Sequence, residues 1–267
     1  MLQHRIPLDL GRFILIDKRD IKGMAILLKE NYLVSETILR DILSILIKHK
    51  IIVLHIIVSR PDYTSCGGII IFYSEGDSKI DELILDLKSL EYIKGIVDIP
   101  PVFNGFVADT FSFPLRMGYL KAVIFTEISY TGIFKGLRDN FGQGGALFLY
   151  HMGRTVGENV FLNHQKIAKS HSYKKIAKVA ETMAFIMGWG RISIHINKKK
   201  KKARVIIFDN FECELFRGSY KPQSYFMKGV ISGWFSKLFE SEVIVNETKC
   251  IAMGDDYCEF KVLPVER

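Results

Sequence analysis

The chain of 267 residues lacks the features of an exported or membrane-spanning protein. No stretch approaches the roughly 18 unbroken apolar residues of a transmembrane helix. The N-terminus, MLQHRIPLDLGR, carries charges where a signal peptide has an apolar centre. We therefore expect a cytoplasmic protein without a membrane span. Its cysteines number only four, at positions 66, 213, 250 and 258. In a reducing compartment, metal or structural roles are favoured over disulfides.

Several catalytic signatures are also missing. The sequence contains no Gly-x-Ser-x-Gly elbow, no His-Glu-x-x-His helix and no dinucleotide fingerprint. The GQGGA segment (142–146) lacks the surrounding strand, loop and helix of a phosphate loop, so its glycines are better explained by close helix approach. We expect no catalytic residues and no enzymatic activity. A reductase of tetrapyrrole or aromatic metabolism stays an alternative.

The positive charge is unevenly distributed. The net charge is +8, but residues 1–118 carry −1 and residues 119–267 carry +9. This asymmetry suggests two units, the second of which attracts anions or is merely kept soluble by its charge. Five lysines, 198–202, follow one another at a predicted hairpin tip, either as a solvated loop or as phosphate contacts. No nucleic-acid-binding motif accompanies them, so a nucleic acid partner stays an alternative.

Residues 23–100 alternate between strand and helix patterns in the order β-α-β-β-α-β. Ser35 is a predicted helix N-cap, and Asp77 or Ser78 is predicted to cap the second helix. This order is that of ferredoxin-like domains, and the module resembles ACT-like regulatory domains in its architecture. We place the ACT-like domain at 1–100 and a linker at 101–118. The predicted strands are 23–30, 50–60, 68–75 and a closing strand from Tyr92 to the prolines at 100 and 101; the helices are 36–49 and 79–90.

The C-terminal part, residues 119–267, is predicted to combine helices with antiparallel strands, so the whole chain is of the α+β class. Ser172 begins a helix, and the segments RISIHI and RVIIFD form a hairpin. A second hairpin turns at Gly254, which places Cys250 opposite Cys258. Glu247 points to the other face of a straight strand and joins the two thiols only through a bulge or a bend.

Small, acidic and thiol residues near the C-terminus form a spaced signature. Its members are Gly229, Gly233, Glu247, Cys250, Gly254, Cys258 and Phe260. This signature, with GALFLYHMGRTVG upstream, resembles the 4-vinyl reductase domain family over roughly residues 119–264. The resemblance implies a mixed α/β ligand-binding fold, similar to that of transport-particle subunits and of phenol-sensing domains of bacterial activators. It also implies a homodimer with an internal apolar pocket.

The same resemblance implies a structural zinc site. In the phenol sensors zinc is held by one Cys, one Glu and two further Cys, and the last three match Glu247, Cys250 and Cys258. The first Cys of the family corresponds here to Ser224, and serine is a poor zinc ligand. Cys213 substitutes for it if the fold brings that thiol near. Otherwise zinc binds weakly or not at all.

The pocket candidates are the aromatic residues of the matching segments, which alternatively form only core. They are Phe148, Tyr150, Phe185, Trp189, Tyr225, Phe226 and Trp234, with His151 and His195 as further polar candidates. We expect a cytosolic small-molecule sensor or regulatory protein that binds an apolar or aromatic ligand in its C-terminal domain. The alternatives are a nucleic-acid-binding regulator, a scaffold or lipid-binding subunit, and the reductase.

Overall fold

The structure is a computed structural model that describes residues 6–17, 20–30, 32, 35–59, 67–74 and 79–265. The chain forms two compact units, Met1–Ile124 and Phe125–Arg267. The predicted linker, 101–118, and residues 119–124 lie in the first unit. Within the described ranges, no helix has both the length and the hydrophobicity to cross a bilayer.

The first unit contains the predicted β-α-β-β-α-β series together with short flanking strands. Its described elements are β1 (Phe13–Leu15), β2 (Lys22–Leu28), α1 (Glu36–Lys48), β3 (Ile52–Ser59), β4 (Gly68–Ser74), α2 (Ile80–Lys88), β5 (Ile93–Ile99), β6 (Phe106–Ala108), β7 (Arg116–Met117) and β8 (Leu120–Lys121). Four strands form an antiparallel sheet in the order β3-β4-β2-β5. This is the ferredoxin-like arrangement, which confirms the predicted element order. The relation to ACT-like domains stays a prediction.

Helices α1 and α2 cover one face of this sheet because each has a continuous apolar stripe. Leu83 and Leu87 of α2 are buried, as their spacing predicts. The Oγ of Ser35 accepts a hydrogen bond from the Ile38 backbone N–H, so the predicted cap of α1 is present. The predicted cap of α2, at Asp77 or Ser78, lies outside the described residues.

Part of the predicted linker belongs to the opposite face of the sheet. Strand β6 pairs with β1, and Val107 is buried in the small core on that face. Gly11 passes directly over the imidazole of His55, since a Cβ at this position would lie 1.8 Å from Nε2. A segment without a clear hydrophobic period is thus ordered by tertiary pairing.

The second unit combines a four-stranded sheet with long helices. Its elements are α3 (Glu127–Ala168), α4 (Tyr173–Ile186), β9 (Arg191–Asn197), β10 (Lys202–Phe208), α5 (Phe211–Glu214), α6 (Tyr225–Phe239), β11 (Val243–Lys249) and β12 (Cys258–Pro264). The strand order is β11-β12-β10-β9, with every neighbouring pair antiparallel. Both predicted hairpins are present, and α4 begins after Ser172 as expected. The predicted α+β class is confirmed.

Helices α3 and α6 approach each other so closely that glycine is required on both sides. A Cβ at Gly157 would lie 2.1 Å from the carbonyl oxygen of Val230. A Cβ at Gly233 would lie 2.0 Å from that of Arg154. Gly153 and Gly229 make the same kind of contact one turn away. Backbone thus packs on backbone, and α6 is buried on nearly all sides.

The glycines of the GQGGA segment have a more local role. Gly142 breaks the helical geometry of α3, with φ +53° and ψ −124°. Across this kink, a Cβ at Gly145 would lie 2.2 Å from the carbonyl oxygen of Leu137, whereas a Cβ at Gly144 would meet nothing within 4 Å. The glycines at 153 and 157, which make the α3–α6 contact, were not singled out from the sequence.

Substituting Gly157 by alanine should destabilise the second unit. The added methyl group overlaps the backbone of α6, and overpacking of this kind costs about 3 kcal/mol. Gly144→Ala is the matched control, because it adds the same group to the same helix without a clash and should be neutral or mildly stabilising. Urea unfolding followed by circular dichroism measures both changes. Equal stabilities for the two variants would contradict the backbone contact.

Candidate metal centre and ligand cavity

Four potential metal ligands converge in the second unit. The ligand atoms of Cys213, Glu247, Cys250 and Cys258 all lie within 4.8 Å of one another. Cys213 comes from α5, Glu247 from β11, Cys250 from the end of that strand and Cys258 from the start of β12. All three thiols are buried, and the carboxylate is partly buried. The structure therefore brings Cys213 to the three residues that the family signature identified.

A β-bulge directs the Glu247 carboxylate towards the thiols. Glu247 pairs with Phe260, but Lys249 pairs with Glu259, so Thr248 is an extra residue on β11. An extra residue re-aims the side chains on one side of it relative to those on the other. The bulge is the irregularity that Glu247 needs in order to join Cys250 on one face of the hairpin.

Ser224 contacts the cluster through hydrogen bonds. Its Oγ donates to Oε1 of Glu247 at 2.7 Å and lies 2.7 Å from the Sγ of Cys213. Asn210 donates from Nδ2 to the sulfurs of Cys213 and Cys258, each at 3.4 Å. The serine thus takes a supporting position, while Cys213 supplies the fourth potential ligand.

The cluster is electrostatically crowded. Hydrogen bonds from Cys213 and Cys250 lower the pKa of Cys258 to about 4. Burial raises the pKa of Glu247 to about 8, and the hydrogen bond to Cys250 raises the pKa of Cys213. The groups cannot all ionise together in this buried place without a compensating cation.

The donor set fits a tetrahedral Zn²⁺ ion. Zinc in structural sites prefers four ligands drawn from thiolates, imidazoles and carboxylates, and Zn–S bonds of about 2.3 Å place tetrahedral ligand atoms about 3.8 Å apart. The mutual separations within 4.8 Å, and the 3.4 Å between the sulfurs of Cys213 and Cys250, bracket this spacing. The four side chains therefore fit zinc with small adjustments.

Helix α5 connects the cluster to α6. The buried carboxylate of Glu212 accepts hydrogen bonds from the backbone N–H groups of Phe226 and Met227, both at 2.9 Å. These are two of the first N–H groups of α6, so the side chain caps that helix. Burial raises the pKa of Glu212 to about 8. On the other side of α5, the Phe211 ring packs edge-on against Phe134.

An apolar cavity of about 50 Å³ lies against the same helix. Two of its walls are the indole rings of Trp189 and Trp234, which are the only tryptophans of the chain. The lining also includes Ala184, Met187 and Met227. Helices α3, α4 and α6 contribute to the walls together with strands β9 and β10.

His164 brings a polar group to this lining. Its Nδ1 accepts a hydrogen bond from Nε1–H of Trp234 at 3.2 Å. An indole only donates, so the neutral imidazole carries its proton on Nε2. Burial lowers the pKa of His164 to about 4, which keeps the ring neutral near pH 7.

His164 was not among the residues predicted from the sequence. It continues the inward face of α3, which Gly153, Gly157 and Phe161 mark at helical spacing. That periodicity was the signal available in the sequence. It indicates burial of position 164 but not the indole partner.

The residues predicted to bind ligand lie in different environments. Trp189 and Trp234 line the cavity, and the Phe226 ring packs edge-on against Trp189. Tyr150 donates a hydrogen bond to the Oγ of Ser232, and the Tyr225 ring lies against the Arg138 guanidinium. Four predicted candidates have exposed side chains and do not line the cavity: Phe148, Phe185, His151 and His195.

Comparisons with known proteins support the predicted resemblance over part of the chain. The family model of the 4-vinyl reductase domain matches residues 203–264. The matched segment runs from β10 to β12 and includes all four residues of the thiol cluster. The 4-vinyl reductase resemblance is thus confirmed for this segment.

Relatives and solved structures extend the comparison. Two uncharacterized proteins of Methanocaldococcus jannaschii are each 24% identical to this chain, one over 50% of the chain and 73% of its own length, the other over 70% and 95%. The phenol-responsive sensory domain of the transcription activator PoxR matches with a TM-score of 0.51 and 18% identity, covering 57% of this chain and 81% of that domain. A vinyl-4-reductase family protein of M. jannaschii matches at 19% identity and a TM-score of 0.38, over 55% of this chain and 85% of its own. The first of these two structural matches shows a shared fold.

Burial of His164 should make stability pH-dependent. The unfolded side chain takes up a proton near pH 6.5 and the folded one near pH 4. Because the unfolded state binds more protons in this window, the free energy of unfolding falls as the pH drops from 6.5 to 4, by about 3 kcal/mol.

Urea unfolding at pH 7.0, 5.5 and 4.5 tests this for the wild type, His164→Gln and the control His151→Gln. The His164 variant should lose most of the decrease, while the exposed His151 should not matter. Parallel pH profiles for all three proteins would contradict a buried neutral imidazole.

Proposed function

We propose that the second unit binds an apolar or aromatic small molecule in the cavity beside α6, and that the chain is a sensor or regulatory protein. The observation that carries this proposal is the cavity itself. Its apolar lining includes one buried, neutral imidazole that orients a polar group of the ligand. Binding sites for small molecules typically combine an apolar pocket with few convergent polar groups.

The size of the cavity indicates that binding involves a structural adjustment. Its volume of about 50 Å³ is smaller than the roughly 150 Å³ of a dry apolar cavity that takes up benzene. Met187 and Met227 in the lining are flexible side chains that repack at low cost. A ligand that enters therefore favours a wider arrangement of these walls. Such differential binding to two arrangements is the physical requirement for a sensor.

The shared fold supports a specific probe. The PoxR sensory domain is described as phenol-responsive and was solved with phenol. Phenol has an apolar ring and one hydroxyl group, which suits a cavity with two indoles and an imidazole N–H. We therefore use phenol as the test ligand, without assigning it as the natural one.

Replacing Trp189 by alanine should alter ligand retention, because the indole forms one wall of the cavity. The matched control is Phe148→Ala, which removes an exposed aromatic ring. Native mass spectrometry of each purified protein, with and without added phenol, reports bound organic mass. We expect an adduct in the wild type and the Phe148 variant, and a changed or lost adduct in the Trp189 variant.

Equal retention by all three proteins, or an adduct lost only in the Phe148 variant, would contradict the assigned cavity. The same spectra report the oligomer. We infer a homodimer, which is supported by large apolar side chains of α3 that are exposed in the single chain: Phe141, Leu147, Phe148 and Met152. A two-fold symmetric pairing of this helix would bury them.

The proposed function includes a structural zinc ion held by Cys213, Glu247, Cys250 and Cys258. The fit of four converging donors supports it. When bound, zinc supplies charge compensation and a cross-link between α5 and the C-terminal hairpin. Ser224 and Asn210 orient the ligands through the hydrogen bonds described above, in the way that outer-shell groups do in metal sites.

Cys213→Ser should abolish stoichiometric zinc, measured by elemental analysis of the purified protein. The double variant Cys213→Ser with Ser224→Cys should restore it, because position 224 lies within hydrogen-bond distance of both Cys213 and Glu247. Cys66→Ser is the control for removal of any thiol. Full zinc content in the Cys213 variant, or none in the wild type after purification with added zinc, would contradict the site.

A further inference from the structure

Positive charge is concentrated in one segment of the second unit. Residues 159–208 contain twelve lysine or arginine residues and a single acid, Glu181. This segment alone is more positive than the whole chain, whose net charge is +8. It comprises the end of α3, the helix α4 and the hairpin β9–β10.

Most of this charge has no acidic partner. Lys178 pairs with Glu181, Arg191 with Asp209, and Arg204 with Glu259. By contrast, eight exposed lysines form no ion pair with any residue whose placement is described. We call them the lysine surface: Lys169, Lys174, Lys175, Lys198, Lys199, Lys200, Lys201 and Lys202.

The two groups of lysines in this set lie at the same end of the unit. The Nζ of Lys198, at the hairpin tip, is 5.8 Å from the centre of the Tyr173 ring. Tyr173 is the first residue of α4 and precedes Lys174 and Lys175 directly. The α3–α4 turn therefore adjoins the β9–β10 turn, and the lysines form one continuous basic surface.

The nearby acids do not neutralise the lysine surface. Lys201 reaches the next edge of the unit, where its Nζ donates to the Oγ of Ser241 at 3.3 Å. Of the acids beside Ser241, Glu242 is bound to Arg154 at 2.6 Å. Glu240 is the other adjacent acid, and it faces a cluster of eight cations.

Stability of the fold does not explain this arrangement. Lys174 and Lys175 occupy the first turn of α4, which contains no acidic residue. The helix dipole disfavours positive charge at that end. Like charges gathered in one place also repel one another and destabilise the compact state. A polyanionic partner would remove both costs.

We propose that the lysine surface binds the phosphate backbone of double-stranded nucleic acid without reading its sequence. Lysine is a flexible point charge that suits phosphates, whereas base edges are read mainly by arginine, asparagine and glutamine. The one amide at the tip, Asn197, accepts a hydrogen bond from the backbone N–H of Lys200.

The chemistry of the surface favours a nucleic acid over a membrane. Neither 169–175 nor 197–202 contains a large apolar residue with an exposed side chain. Peripheral membrane segments combine basic residues with such apolar anchors. These two segments also lack the exposed aromatic platforms that bind unpaired bases. A duplex backbone needs neither feature.

Fluorescence anisotropy of the full chain with two unrelated 20-base-pair DNA duplexes tests the proposal. We expect similar affinities for both sequences and a loss on the order of 10³-fold between 50 and 200 mM salt. The quadruple variant K198Q/K199Q/K200Q/K202Q should weaken binding to both duplexes. It should also make the slope of log K against log salt shallower by about 3 to 4.

A matched variant controls for net charge. K88Q/K121Q/K135Q/K221Q removes the same charge from exposed lysines outside the lysine surface, and we expect it to bind almost as the wild type does. No binding at 50 mM salt, or equal losses in the two quadruple variants, would overturn the proposal. So would binding to phosphatidylserine vesicles at a salt concentration where neither duplex binds. None of these outcomes depends on the cavity or on zinc.

Discussion

The contact between the backbones of α3 and α6 is the constraint on which the rest of the second unit depends. Glycines 153 and 157 face glycines 229 and 233, so the two helices are closer than any side chain would permit. The close approach places Trp234 of α6 beside His164 of α3. It also fixes the first turn of α6, where Phe226 meets the Glu212 carboxylate. A methyl group at the crossing would therefore disturb both the cavity and the thiol cluster.

Helix α6 links two sites of different chemistry. One side of it forms a wall of the apolar cavity, and its first turn is capped by Glu212 from α5. The neighbouring residue of α5, Cys213, belongs to the thiol cluster. A metal ion in that cluster would hold α5 in place and so support the start of α6. The cavity wall would then be free to move only farther along, where Met187 and Met227 provide flexible packing.

Local patterns in the sequence were sufficient for the secondary structure. The periodicity of 23–100 predicts the ferredoxin-like order, and the turn at Gly254 predicts the hairpin that joins Cys250 and Cys258. Contacts between distant residues were not predictable in this way. Cys213 and Cys250 are 37 positions apart, and His164 and Trp234 are 70 positions apart. Their meeting is decided by packing, so the sequence offered Cys213 only as a conditional ligand and did not offer His164. Aromatic content likewise did not distinguish the exposed Phe148 from Trp189 in the cavity wall.

The central claim is that the cavity beside α6 takes up a small aromatic molecule. Its two tryptophans, at 189 and 234, are the only ones in the chain, so their two indole N–H signals report on this site alone. The most direct measurement is a two-dimensional ¹H–¹⁵N NMR titration of the full chain with the same aromatic probe. We expect saturable shifts of both indole signals, and their loss when Ala184→Leu fills the cavity. Indole signals that do not move, or that move equally in the filled variant, would contradict the claim.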